Sequence, residues 1–130
     1  MSTMVLPKEM RLKGYKCFDY IHKSSKRYSS HSMTLRVSRA NPNLINEEIT
    51  NCRYKSCRCA ISISNKVSKK AVIRNRLRRI FHSHLKLRLF KKSKHINNWA
   101  LLSFKPTCLD KEPKLLLEEC DKLLLEAGFC

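Results

Sequence analysis

Residues 68–94 read S-K-K-A-V-I-R-N-R-L-R-R-I-F-H-S-H-L-K-L-R-L-F-K-K-S-K. The stretch carries Lys69, Lys70, Arg74, Arg76, Arg78, Arg79, Lys86, Arg88, Lys91, Lys92 and Lys94, and no acidic residue. Ile73, Leu77, Ile80, His84 and Leu87 recur at spacings of 4, 3, 4 and 3, which is one stripe of an α-helix. At about 100° per residue, Lys70, Arg74 and Arg78 follow one flank of that stripe, while Asn75, Arg79, His82 and Lys86 point outward. Ser68 is the expected N-cap. One face is thus predicted to sit on a core, and the rest to form a positive, donor-rich surface. Cations in the first turns oppose the helix dipole, and the bases between Lys69 and Arg79 repel one another. An external anion would relieve both. The plainer reading is a solvated face, but such faces mix signs for i,i+4 support and this one does not.

The whole chain has 130 residues, most simply one domain, with residues 1–10 read as a loose tail and residues 11–130 as the folded unit. Its formal charge is +18, from 28 Lys+Arg against 10 Asp+Glu, which favours a polyanion: nucleic acid or an anionic membrane surface. No run is apolar enough to span a bilayer. The opening M-S-T-M-V-L-P-K-E-M-R has no apolar signal core, so the expectation is an unexported, cytoplasmic protein. Seven cysteines, an odd number, fit reduced thiols. Cys52, Cys57 and Cys59 do not have a common zinc spacing, and Cys59 reads as packing.

A short helix is expected over residues 15–23, on Tyr15, Phe18, Ile21 and His22. Residues 23–32 read as a turn or irregular strand. Met33–Val37 alternates as a strand with one wet face, and Asn41-Pro42-Asn43 breaks it. The connection from Asn43 to Tyr54 has no clear pattern. Cys57–Ser64 is the clearest strand: Cys59, Ile61 and Ile63 face one way, and Arg58, Ala60, Ser62 and Ser64 form a small polar face open to a ligand. Trp99–Phe104 is apolar on both faces, hence a central strand. Asp110-Lys111-Glu112-Pro113 starts a last helix with Leu116, Cys120, Leu123, Leu124 and Ala127 inward and Gly128 as its stop. Charge is segregated. Residues 49–109 hold 16 Lys+Arg and no acid, whereas residues 110–130 hold six acids and three bases. The last helix is therefore expected away from the anionic partner.

No catalytic set is apparent. Glu118, Glu119 and Asp121 read as a solvated face, and Glu47 and Glu48 lie in a connection. A two-metal nuclease needs converging carboxylates, and two glycines cannot build a nucleotide loop. The chain binds, and something else reacts. RNA suits it better than DNA, because the basic helix lies between strands beside an open polar sheet face instead of in a compact helical module. A membrane helix would need its apolar stripe exposed, but here the core uses it.

Lys69-Lys70-Ala71-Val72-Ile73-Arg74-Asn75-Arg76-Leu77-Arg78-Arg79, following the strand Ile61–Ser64 and Asn65-Lys66-Val67, resembles the Arg-Asn-Arg signature of the bacterial ribonuclease P protein family. The resemblance covers residues 9–128. It implies an α+β fold, a two-layer α/β sandwich of order αβββαβα with a four-stranded sheet and a left-handed βαβ crossover. It also implies the protein subunit of a ribonucleoprotein endonuclease that removes the 5′ leader of precursor tRNA. The partners would be the catalytic RNA and the precursor tRNA leader, with Mg2+ held mainly by the RNA and no catalytic or metal-ligating residue in this chain.

By the resemblance, Lys66, Lys69, Lys70, Arg74, Asn75, Arg76, Arg78 and Arg79 are RNA-binding. Phe18, His22, Arg36, Arg58 and Ser62 belong to a leader cleft between the first helix and the sheet. His22 stands where the family often has a second aromatic, Arg36 near a frequent Tyr, and His82 in place of a usual Arg. Cys59-Ala60 replaces a common Val-Gly or Ile-Gly. Charge and hydrogen bonding are therefore expected to carry more of the leader contact than stacking. Guanidinium forks suit phosphate, and phosphate contacts are sequence-blind, as a subunit serving many precursors requires. A ribosomal or assembly protein for structured RNA is the alternative, and a protein-only nuclease the third reading.

Overall fold

The computed structural model describes residue 12, residues 15–39, residue 41, residues 58–89 and residues 98–128. The expected tail over residues 1–10, the Asn43–Tyr54 connection, Cys52, Cys57, Lys91, Lys92 and Lys94 lie outside these residues.

The order is α1 (Tyr15–Ser24), β1 (Lys26–Ser29), β2 (Met33–Arg39), β3 (Arg58–Ser62), α2 (Ala71–Leu89), β4 (Asn98–Phe104), a 3-10 turn (Pro106–Asp110) and α3 (Pro113–Glu126). This is the expected αβββαβα sequence. The sheet runs β1-β2-β4-β3. β2 is antiparallel to β1 and β4, and β3 is parallel to β4, so α2 lies in the crossover that a parallel pair requires. β4 is central because it is apolar on both sides. Leu102 and Phe104 enter one core, while Trp99 and Leu101 enter the other. β1 closes the sheet as a short edge with Lys26 and Arg27 exposed, a composition that resists edge-to-edge pairing. The stretch over residues 23–32 thus contains a regular strand.

The larger core lies between one sheet face and the α2/α3 pair: Met33, Leu35, Ile61 and Phe104 meet Leu77, Phe81 and Leu85 of α2 and Leu116, Cys120, Leu123 and Leu124 of α3. The α3 stripe is the one the sequence predicts. Its N-cap is Glu112, with no side-chain cap bond and Pro113 in the first turn; Asp110 closes the preceding 3-10 turn instead. Gly128 follows with φ 87°, a left-handed residue that ends the helix.

Three expectations are corrected in α2 and α1. The buried line of α2 is Leu77, Phe81 and Leu85, whereas Leu87 is 80% exposed. Phe81 wins because its ring meets Phe104 edge-on at 4.8 Å, an aromatic contact that an aliphatic side chain cannot replace. Ser68 is not the N-cap: the first helical bonds are accepted by the Lys70 carbonyl, and Ser68 Oγ instead accepts the Lys70 N–H at 3.1 Å. In α1 the inward residues are Cys17 and Ile21, and His22 is exposed.

The smaller core holds Leu12, Cys17, Ile21, Ala60, Trp99 and Leu101 on the other sheet face. The expected wet face of β2 is therefore partly covered, with Thr34 and Ser38 buried. β3 is likewise shorter than expected, and its small face is open only at Ser62 and Ser64, since Ala60 lies in the core with α1. The described cysteines Cys17, Cys59, Cys108 and Cys120 are all buried. Among the described residues no helix is long and apolar enough to cross a membrane.

Candidate nucleic-acid interface

The loop from β3 to α2 is pinned from below. Ile63 and Val67 are buried in the larger core, and the Val67 N–H bonds the Ser64 carbonyl at 3.0 Å. Ser64 Oγ accepts the Lys66 N–H at 3.2 Å, and Ser68 Oγ accepts that of Lys70. With its backbone tied down this way, the loop leaves Lys66, Lys69 and Lys70 exposed. Arg74 is half-buried and reaches back: its Nη1 donates to the Ser68 carbonyl at 2.7 Å, bracing loop against helix. Arg78 Nη1 donates to Asn75 Oδ1 at 2.9 Å, which leaves the Asn75 amide N–H groups for another partner. Arg76 and Arg79 are exposed and have no carboxylate partner among the described residues. The eight residues named for RNA thus sit on one loop and the first turns of one helix.

The far end of α2 is different. Asp121 of α3 takes His84 Nε2 at 2.7 Å through one oxygen and Arg88 Nη2 at 3.1 Å through the other. α3 is therefore not remote from the basic helix. It pairs with His84 and Arg88 in the last turns, while Arg76 and Arg79 in the first turns have no carboxylate partner among the described residues. Glu119 and Asp121 also depart from the solvated face expected of them. The Glu119 side chain is 11% exposed, salt-bridged to Lys111 and bonded to Ser30 and Ser32.

The residues expected in a leader cleft come from α1 and one face of the sheet. Tyr20 lies edge-on to Trp99 and donates to the Arg39 carbonyl at 2.8 Å, which fixes one flank of α1 at the Asn98 end of β4. Phe18 and His22 stand about 200° around the helix from Tyr20, on the opposite flank of α1. They are linked by a 2.8 Å contact between His22 Nδ1 and the Phe18 carbonyl. Arg36 and Ser62 share that sheet face, with Arg36 opposite Leu101 and Ser62 opposite Ser103. Arg58 lies on the same face, four residues along β3 from Ser62. It is paired with Trp99 at the other end of β3, near Cys17, where burial pushes the thiol pKa up and the Arg58 charge pulls it down.

Sequence reasoning missed four residues on this face: Arg27, Ser29, Thr34 and Ser103. The alternation in Arg27-Tyr28-Ser29 and Thr34-Leu35-Arg36 was the available signal, once residues 26–29 are read as a strand.

Chains similar in sequence and in fold are known. The family model described as Ribonuclease P matches residues 6–128. The chain is 72% identical to the ribonuclease P protein component of one Prochlorococcus marinus strain over 98% of its length and 100% of the relative's. It is 48% identical to that of Synechococcus sp. strain WH7803 over 97% and 98%. The chain belongs to the ribonuclease P protein family. Two solved ribonuclease P proteins share the fold. The one from Staphylococcus aureus has TM-score 0.72 at 18% identity, covering 92% of this chain and 96% of that one. The one from Thermotoga maritima has TM-score 0.65 at 16% identity, covering 88% and 94%. Membership decides against the ribosomal alternative: ribonuclease P protein is a component of a tRNA-processing endoribonuclease and associates with the ribonuclease P RNA.

Proposed function

We propose that Lys66, Lys69, Lys70, Arg74, Asn75, Arg76, Arg78 and Arg79 hold the catalytic RNA and the adjoining substrate. In this reading the sheet face beside Phe18, His22, Arg36 and Ser62 takes the 5′ leader of precursor tRNA. The observation that carries it is the split in α2. Asp121 takes His84 and Arg88 at one end, while Arg76 and Arg79 project from the other with no carboxylate partner among the described residues. A phosphate backbone supplies that missing counter-charge. Bond cleavage belongs to the RNA. Arg58, on the same sheet face at the Trp99 end of β3, belongs to the same reading.

Magnesium does not fit this chain's described residues. Mg2+ wants oxygen ligands, the face offers cations and one amide, and no group of three or more His, Cys, Asp or Glu could hold a metal among the described residues. In this reading the ion is held mainly by the RNA.

The test mixes the purified protein with a bacterial ribonuclease P RNA and precursor tRNA at low magnesium. Cleavage should rise on adding the protein and fall again with Arg76→Ala plus Arg79→Ala. A cleavage rate indifferent to the protein sinks the reading.

A further inference from the structure

The outward side of α3 carries a second seam. Leu116, Cys120, Leu123 and Leu124 enter the larger core. About 165° around the helix from them, Leu115, Glu118, Lys122 and Leu125 follow one another at spacings of 3, 4 and 3, the step of a coiled-coil contact line. All four are exposed, Leu115 at 48% and Leu125 at 62%. Glu118 and Lys122 stand about one turn apart, yet they make no ion pair with each other or elsewhere among the described residues. The two carboxylates that flank the seam are engaged within the chain: Glu119 with Lys111, and Asp121 with His84 and Arg88.

The order Leu-Glu-Lys-Leu is complementary to its own reverse. In an antiparallel helix pair centred on Cys120, Leu115 of one chain lies level with Leu125 of a second copy, and Glu118 lies level with Lys122. Apolar layers then close both ends of the contact, and opposite charges fill the two layers between. A parallel pair would instead set Glu118 against Glu118 and Lys122 against Lys122, which repel. A solvated helix face gains from a Glu and a Lys one turn apart, but it gains nothing from leucines placed symmetrically outside them. The overall charge favours the same surface. Residues 110–130 hold six acids and three bases in a chain of +18, so two copies repel least when they meet at α3.

We propose that the seam of Leu115, Glu118, Lys122 and Leu125 is a docking surface for a second copy of this chain, the two α3 helices pairing antiparallel about a two-fold axis at Cys120. Four layers of one helix pair make a contact smaller than a standard interface, so the dimer is weak and reversible. The seam uses none of the residues from Lys66 to Arg79, and it stands independently of the RNA reading above.

The test is sedimentation equilibrium of the purified full chain, free of nucleic acid, from about 10 μM to about 1 mM. About 0.3 M salt screens the long-range repulsion between copies. The wild-type mass rises with concentration from that of one chain toward that of two. Glu118→Lys alone and Lys122→Glu alone each hold the mass of one chain, because both charged layers then set like against like. Mixed in equal amounts, the two variants associate, since each supplies the charge the other lacks. The double variant Glu118→Lys plus Lys122→Glu recovers the wild-type behaviour, and thermal melting confirms that each variant is folded. A wild-type mass that stays at one chain over the whole range, single variants that associate as the wild type does, or a mixture that stays monomeric overturns the proposal.

Discussion

Glu119 on α3 accepts the backbone N–H of Ser32 at 2.7 Å, joining the last helix to the turn between β1 and β2. The same carboxylate accepts the Ser30 hydroxyl and, through its other oxygen, Lys111 Nζ at 2.8 Å. Burial alone would raise its pKa, but the bonds from Lys111, Ser30 and Ser32 outweigh it and lower the value from 4.5 to about 2. A folded pKa below the unfolded one stabilises fully above the unfolded value and is lost as pH falls toward the folded one. This contribution is therefore complete above about pH 5 and drains away toward pH 2. Glu119→Ala should lose about 2–3 kcal/mol at pH 7 and flatten the acid limb of the stability curve. Urea unfolding of both proteins at pH 7 and pH 3 checks it; parallel acid limbs would contradict it.

The rotation of α2 predicts a contrast between two apolar residues six apart. Phe81 is fully buried against Phe104, and Leu87 is 80% exposed. Phe81→Ala should cost about 3–5 kcal/mol through lost contacts and a cavity. Leu87→Ala should change stability by no more than about 0.5 kcal/mol. Denaturant midpoints settle the comparison, and a large loss at Leu87 would mean the stripe runs as the bare spacing suggests.

That contrast also shows where the sequence was legible. Element order, the central strand and the α3 stripe were readable, because Trp99–Phe104 is apolar on both faces and Leu116, Cys120, Leu123 and Leu124 lie on one side of a helix. In α2, apolar residues occupy both sides, so spacing alone allowed a line through Leu87. Only Phe104, on a strand distant in sequence, selects the line through Phe81. The basic set from Lys66 to Arg79 was readable because it is contiguous. The neighbourhood of Ser29, Thr34, Ser103 and Ser62 was not, because its members come from four strands and only pairing register unites them.

Arg74 combines charge with a structural bond, and one substitution separates them. Its guanidinium donates to the Ser68 carbonyl at 2.7 Å and holds the loop bearing Lys66, Lys69 and Lys70. Arg74→Lys keeps the charge but not the planar fork. It should lower affinity for the ribonuclease P RNA by about threefold to tenfold while changing the salt slope little, since the number of neutralised phosphates is kept. Arg74→Ala should lower both. Binding titrations across salt concentrations read this directly, and indistinguishable slopes for the two variants would show that the brace, not the charge, is all that Arg74 supplies.

The two ends of α2 should respond oppositely to loss of charge. Arg76 and Arg79 lack a carboxylate partner among the described residues, so each change to Ala should weaken RNA binding and lower the salt slope by about 1 with little effect on stability. Arg88 already donates to Asp121 at 3.1 Å and stands half-exposed. Arg88→Ala should change RNA affinity by less than about twofold and lower stability by about 0.2–1 kcal/mol, the range of a partly exposed ion pair. Asp121→Asn releases both Arg88 and His84 from their shared carboxylate, which extends the uncompensated surface along the helix. RNA binding should therefore become tighter at low salt while the fold becomes weaker. Affinity and melting temperature measured on the same four variants decide it: if Arg88→Ala weakens RNA binding as much as Arg79→Ala does, the division of the helix by Asp121 is wrong.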